Sequence, residues 1–207
     1  MLIKPLMLQR EQLTTVTLDD SLETALDRIN DKSFLSIPVV QDEHFVGMIS
    51  KGEIYEDYFI VGGDKQRYVK ETRVRALIRA GIPTLLPSDE IEKATRTLEL
   101  YGMPFVAVVD EQENFLGIIT HYTIFKEFSE IMGIDKGKRL SIYIKNIPGQ
   151  VAKVSEIFAR NKADLISFVV ADSPKGENMK QIIARVYCFT MPQLMEDFSK
   201  SGYEVEE

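Results

Sequence analysis

The sequence predicts an α+β protein in two parts: a strand-helix-strand-strand-helix unit written twice, then a single βαββαβ unit. Three observations carry this prediction. The phrase Phe45-Val-Gly-Met-Ile-Ser50 returns as Phe115-Leu-Gly-Ile-Ile-Thr120, so the chain repeats itself before any element is assigned. Leu22, Ala25, Leu26 and Ile29 have the i, i+3, i+4, i+7 spacing of a helix, and Ile91, Ala94 and Leu98 repeat that stripe 69 positions later. After Gly133-Ile-Asp-Lys-Gly-Lys138 the repeat stops and a different alternation begins.

Taken in order, Thr14 to Thr17 is a first strand, and Asp19, Asp20 or Ser21 caps the helix carrying the Leu22 stripe. Ser36-Ile-Pro-Val-Val40 and the Phe45 phrase form a hairpin around the polar turn Gln41-Asp-Glu-His44, and a helix with Ile54 follows. Gly62-Gly-Asp-Lys65 is a loop, and the stretch from Asp64 to Arg79 is read as a helix buried along Val74, Leu77 and Ile78. The second copy runs through Thr84 to Leu86, the Ile91 helix, Phe105-Val-Ala-Val-Val109, the turn Asp110 to Asn114, the second phrase and a helix with Ile124. The boundaries are a repeated part at 1–132, with copies at about 5–60 and 65–130, a linker at 133–138 and a last part at 139–207. In the last part Leu140, Ile142 and Ile144 alternate as a strand, and Val151, Val154, Ile157 and Phe158 form a helical stripe. Two β-rich runs at 164–171 and 181–190, a helix from about Pro192 and a short strand at Tyr203-Glu-Val205 complete βαββαβ.

Bulk composition narrows the function classes. The 207 residues carry a net charge of -7, which gives no general attraction for a polyanion, so nucleic acid is not an expected partner. No run of about 18 apolar residues suits a membrane span, and the first residues lack the core and cleavage site of a signal peptide. The single Cys188 leaves no intrachain disulfide and no multi-cysteine metal site. A reduced cytoplasm is the expected home. The sequence has no Gly-x-x-x-x-Gly-Lys loop, Gly-x-Gly-x-x-Gly, Gly-x-Ser-x-Gly or His-Glu-x-x-His, so the expectation is a protein without catalytic residues, cofactor or metal.

The repeated part resembles a tandem pair of CBS domains, a Bateman module, through Ile37-Pro-Val-Val40, Gly47-Met-Ile-Ser50, Val106-Ala-Val-Val109, Gly117-Ile-Ile-Thr120 and the duplication itself. The last part resembles an ACT domain, a ferredoxin-like βαββαβ fold, through Lys145-Asn-Ile-Pro-Gly-Gln150 between its first strand and first helix. CBS pairs followed by ACT occur in acetoin-utilisation regulators and in cyclic-di-AMP-binding CBS proteins. The resemblance implies a non-catalytic sensor that binds an adenine-containing nucleotide (AMP, ATP or cyclic-di-AMP) in the CBS clefts. It also implies a homodimer, and an ACT part that dimerises or binds a small metabolite such as an amino acid.

The resemblance assigns the phosphate role to Ser50 and Thr120, which end the two phrases. The residue three positions on should hold ribose through a carboxylate, yet these positions are Glu53 and Thr123, so two unequal clefts are expected. Thr15, Ile37, Ile82, Thr84 and Phe105 are candidates for the base slot, with Phe105 able to stack on adenine. Lys51 and His121 directly follow the hydroxyl residues and are candidate phosphate contacts. Lys65, Arg67, Lys70, Arg73, Arg75 and Arg79 make one locally basic segment, either a solvated face or a phosphate or partner contact. In the ACT-like part Asn146, Ile147, Pro148, Gly149, Gln150 and Val151 form the candidate ligand turn, whose free helix amides suit a carboxylate. The alternative is a protein-interaction module whose degenerate clefts bind nothing and whose surface docks an unidentified protein.

Overall fold

Helix α1 (Leu22–Asp31) forms where its stripe predicts, with Leu22, Ala25, Leu26 and Ile29 buried and the Ser21 side chain accepting from the Thr24 amide. The computed structural model describes residues 1–207 and divides into two units, Met1–Phe125 and Lys126–Glu207.

In the first unit β1 is Leu8–Gln9, the hairpin strands are β2 (Ser36–Gln41) and β3 (His44–Ser50), and helices α2 (Lys51–Val61) and α3 (Lys65–Glu71) follow. The second copy holds β4 (Thr84–Leu85), α4 (Ile91–Tyr101), β5 (Phe105–Val109), β6 (Phe115–Thr120) and α5 (His121–Ile131). The expected first strand at Thr14 to Thr17 reduces to one parallel bridge, Val16 with Val39. The Val16 amide donates to Pro38 O at 3.1 Å, and Val40 N donates to Val16 O at 2.8 Å. Its threonines satisfy the β preference, but only one residue finds a partner. The helix expected from Asp64 to Arg79 stops at Glu71. Beyond it Val74 is buried in the core of the first repeat, with Leu77 and Ile78 packed against that core.

Arg79 is extended and exchanges two backbone hydrogen bonds with Met48, at 2.9 and 3.1 Å. In the second repeat β1 pairs antiparallel with β6, through Leu8 opposite Ile118 and Gln9 opposite Gly117. The second repeat is thus a sheet in the order β1-β6-β5-β4, and the first has the same plan with Arg79 beside β3 and Val16 beside β2. Each sheet is completed by the segment that precedes the other repeat.

That crossing explains the glycine in the repeated phrase. A Cβ built on Gly117 falls 2.1 Å from Leu8 O, and one on Gly47 falls 2.4 Å from Arg79 O. Both positions need glycine because another backbone lies where a side chain would start. The phenylalanines that open the phrase meet each other: the Phe45 and Phe115 rings stack with centroids 5.7 Å apart. The two hairpin turns also join, with Phe115 N donating to Glu43 O at 2.8 Å and Arg10 paired to the Glu43 carboxylate.

The second unit comprises β7 (Lys138–Lys145), α6 (Gln150–Arg160), β8 (Asp164–Asp172), β9 (Met179–Tyr187), α7 (Met191–Lys200) and β10 (Glu204–Glu206). Its sheet has the order β10-β7-β9-β8 with every neighbour antiparallel. Leu140, Ile142, Ile182, Ala184 and Val186 are buried with Val154, Phe158, Leu194 and Phe198 in one core, where the Phe158 and Phe198 rings meet edge to face at 5.1 Å. The segment at 133–138, where the sequence suggests a linker, lies against this unit's own strands. A Cβ on Gly133 would meet Ile166 at 2.5 Å and one on Gly137 would meet Val186 O at 2.4 Å, while Lys138 already belongs to β7.

Candidate functional site

Each repeated phrase ends at a helix N-terminus, which fixes where its hydroxyl sits. Ser50 is the N-cap of α2: its Oγ accepts from Glu53 N at 3.1 Å and donates to Glu53 Oε2 at 2.8 Å, while Ser50 N donates to the same carboxylate at 2.9 Å. This is a complete capping box, in which each residue satisfies the other's free backbone amide. At α5 the Thr120 Oγ1 accepts from Thr123 N at 3.2 Å, and the two threonine hydroxyls lie 3.1 Å apart. The second helix start therefore has a cap without a carboxylate.

The difference decides where an anion can go. Glu53 already places a negative charge against the positive end of α2, where it is stabilised by the free amides and opposes a second anion. The start of α5 carries no such charge. Ser50→Ala should cost about 1 kcal/mol of first-unit stability through loss of the cap, read as a lowered midpoint in denaturant. Glu53→Gln, which keeps the box with a neutral group, should cost less.

Beside the α5 start is a cavity of about 340 Å³. It brings together Ile37 and Pro38 of β2, Phe105 of β5, Thr120 and the N-terminal residues Leu8 and Thr14. Phe105 and Ile37 are buried, at 4% and 1% exposure, so that part of the wall is fixed by packing, while Leu8, Phe34 and Leu35 of the same lining are exposed. Four hydroxyl residues, Thr14, Ser33, Ser36 and Thr120, are its polar lining, and no charged side chain lines it. An apolar planar group fits such a slot, with hydroxyls to set its orientation.

Of the sequence candidates, the cavity unites Ile37, Phe105 and Thr120. Thr15 sits one residue beyond the lining Thr14, with its carbonyl taken by Arg28 at 2.6 Å. Ser50, Lys51 and Glu53 are half-buried at the other helix start. Ile82 packs against the second-repeat core, and Thr84 is exposed. His121 is exposed and stacked on Phe125, with ring centroids 6.5 Å apart, while Thr123 is buried behind Thr120. The other lining residues were not among the sequence candidates, including the hydroxyl residues Thr14, Ser33 and Ser36 and the apolar Leu8, Phe34 and Leu35. In the structure Leu8 crosses Gly117 as Arg79 crosses Gly47, a match that the 69-residue offset of the repeat does not show.

The basic segment is largely committed within the first unit. Arg67 pairs with Glu71, Lys70 with Glu23 and Arg75 with Asp19. Arg73 and Arg79 donate to the carbonyls of Asp19 and Tyr101.

In the second unit Gly149 has φ 85° at the N-cap of α6, a conformation suited to glycine. Asn146 N donates to Asn178 O at 2.8 Å and Ile147 N to Lys145 O at 2.8 Å, so backbone bonds hold the turn. Asn146, Ile147, Pro148, Gly149 and Val151 are exposed, and Gln150 is half-buried. Ile147 and Gln150 line a groove of about 750 Å³, whereas Asn146, Pro148, Gly149 and Val151 do not.

A two-fold repeated α/β unit whose helices start at the ends of paired hairpins defines the class, and comparison with known proteins agrees. The CBS domain family model matches residues 6–58 and 74–130, more than half of the chain, and the protein belongs to the CBS-domain family. Over 126 residues it is 22% identical to the UPF0053 protein YugS of Bacillus subtilis (strain 168), covering 60% of this chain and 27% of that relative. The chain thus spans about a quarter of that curated relative's length. Among solved structures, a CBS domain-containing protein of unknown function from Bacillus anthracis str. Ames Ancestor matches with TM-score 0.57 and 26% identity, covering 62% of this chain and 93% of that one. CbpB in complex with c-di-AMP matches with TM-score 0.54 and 17% identity, over 62% and 85% of the two chains. CBSX2 in complex with AMP gives 0.53 and 23%, over 63% and 97%. The last two likenesses are of fold. No helix is long and apolar enough to cross a membrane.

Proposed function

We propose that this chain is a non-catalytic regulatory sensor whose CBS pair binds an adenine-containing nucleotide: AMP, ATP or cyclic-di-AMP. One observation carries the reading: the cavity that joins buried Phe105 and Ile37 to the capping hydroxyl of Thr120. The base stacks in the apolar slot, and a phosphate reaches the α5 start, which holds no opposing carboxylate. The CBS relatives solved with c-di-AMP and with AMP supply the ligand class. A cytoplasmic location, where these nucleotides are found, is part of this proposal.

Residues 139–207 are proposed as an ACT domain, on the strength of the βαββαβ order and the Asn146-Ile-Pro-Gly149 turn. It dimerises the chain or takes a small metabolite. Helix α2 adds an apolar surface suited to a homodimer, with Phe59 and Ile60 at 90% and 76% exposure. Nucleotide binding then biases one arrangement of the CBS pair or of the dimer over another.

A thermal-shift screen with AMP, ATP, S-adenosylmethionine and cyclic-di-AMP tests this. A ligand at about 100 times its Kd should add about 2.7 kcal/mol to the native state, and Thr120→Ala should weaken its binding. A second reading, a protein-interaction module with non-binding clefts, draws on the commitment of Glu53 to its own cap. Absence of any shift with all four compounds would favour it.

A further inference from the structure

The second unit has as many Lys and Arg as Asp and Glu, so the whole net charge of -7 resides in the first unit. Within this neutral unit the positive charge is unevenly placed. The groove of about 750 Å³ is lined by Lys145 at the end of β7 and by Lys153 and Arg160 on α6. None of these three forms an ion pair, whereas Lys138, Lys175, Lys180 and Lys200 of the same unit do. Arg160 does feel Asp197, but that carboxyl is held low first by the side chains of Asn161 and Gln193 that donate to it.

The remaining polar groups of the groove are also mainly donors. Tyr203 donates to Gln150 Oε1 at 3.1 Å, which fixes the amide and leaves its two N–H donors free. The α6 start beside Gln150 adds free backbone amides. Two carboxylates line the groove, Glu156 and Glu204, and Glu204 is paired with Lys175, which it shares with Glu206. Ile147, Ile157 and Met179 supply an apolar wall. A zwitterionic amino acid needs an acceptor for its ammonium, and the groove offers little beyond Glu156.

We propose that this groove binds a small organic anion carrying at least two negative charges, held by Lys145, Lys153, Arg160 and the Gln150 amide. The inference deepens the reading that the second unit binds a metabolite, and rests on it. It replaces a zwitterion with a di- or tricarboxylate or a phosphorylated acid as the chemical class.

The test uses the full chain, with citrate and inorganic pyrophosphate as probes and leucine as the zwitterionic comparison, followed by calorimetry and by the backbone amide signals of 149–153. Citrate or pyrophosphate should bind, shift those signals and lose affinity as salt rises. Lys153→Gln and Arg160→Gln, both at exposed positions, should each weaken binding about tenfold, with unchanged circular dichroism showing that the fold is kept. Leucine binding at the same amides with neither anion bound would keep the metabolite reading and overturn the anion. Anion binding undiminished in both variants would overturn the placement, and no binding by any of the three probes would remove both.

Discussion

Phe115→Ala should destabilise the first unit by about 3–5 kcal/mol, the range for emptying a buried aromatic site. Phe115 is 2% exposed, sits in the second-repeat core and stacks on Phe45 of the first repeat. Its backbone amide also donates to Glu43 in the opposite hairpin turn. The loss therefore falls on both halves at once, because the ring is a shared wall and the space left behind cannot be closed by one repeat alone. Hydrogen exchange should show β3 and β6 losing protection together. Phe189→Ala is the control: that ring is fully exposed, and its removal should change stability by no more than about 0.5 kcal/mol. If exchange rose in β6 while β3 stayed protected, the two repeats would be independent and the shared-wall account would fail.

The second large effect is expected at the glycines. Gly117→Ala puts a methyl 2.1 Å from Leu8 O, far inside contact distance, and the obstacle is backbone with no rotamer to change. Strand β1 must be displaced from β6, losing the pairing of Leu8 and Gln9. A cost of about 3 kcal/mol is expected, at the upper end for overpacking. Gly47→Ala should behave alike, since its methyl would fall 2.4 Å from Arg79 O and 2.8 Å from the Ile78 side chain. Gly176→Ala is a useful comparison, because nothing lies within 4 Å of its Cβ position, although its φ of 136° adds some strain. Denaturant midpoints rank the three, and a Gly117→Ala protein as stable as Gly176→Ala would contradict the close crossing.

What could be read from the sequence follows from how each feature is encoded. The Leu22 and Ile91 helices are legible because burial of one face imposes a period on neighbouring residues. The hairpins are legible because a polar turn interrupts two β-rich runs, and Ser50 and Thr120 are found because they end a phrase that occurs twice. The Asp64 to Arg79 stretch misleads, since Val74, Leu77 and Ile78 have helical spacing while a 3₁₀ turn and an extended segment bury Val74 and set Leu77 and Ile78 against the core. Strand β1 is two residues long, too short to show any period. The cavity is harder still to foresee. Phe34, Leu35 and Leu13 lie outside the strands and α-helices, and they reach Phe105 and Thr120 only once both repeats are folded together. The choice between Glu53 and Thr123 was visible as residue types, but the capping geometry that separates the two helix starts needed coordinates.

The exchange of strands between the repeats also sets a timetable for the growing chain. Leu8 leaves the ribosome about 110 residues ahead of its partner Ile118. At about 5–20 residues per second this interval lasts on the order of 5–20 s. Throughout it, the N-terminal segment has no strand to join, and the first repeat must wait for Arg79 before its own sheet is complete. The module therefore closes in one late step, when β6 emerges and binds a strand made about 110 residues before it.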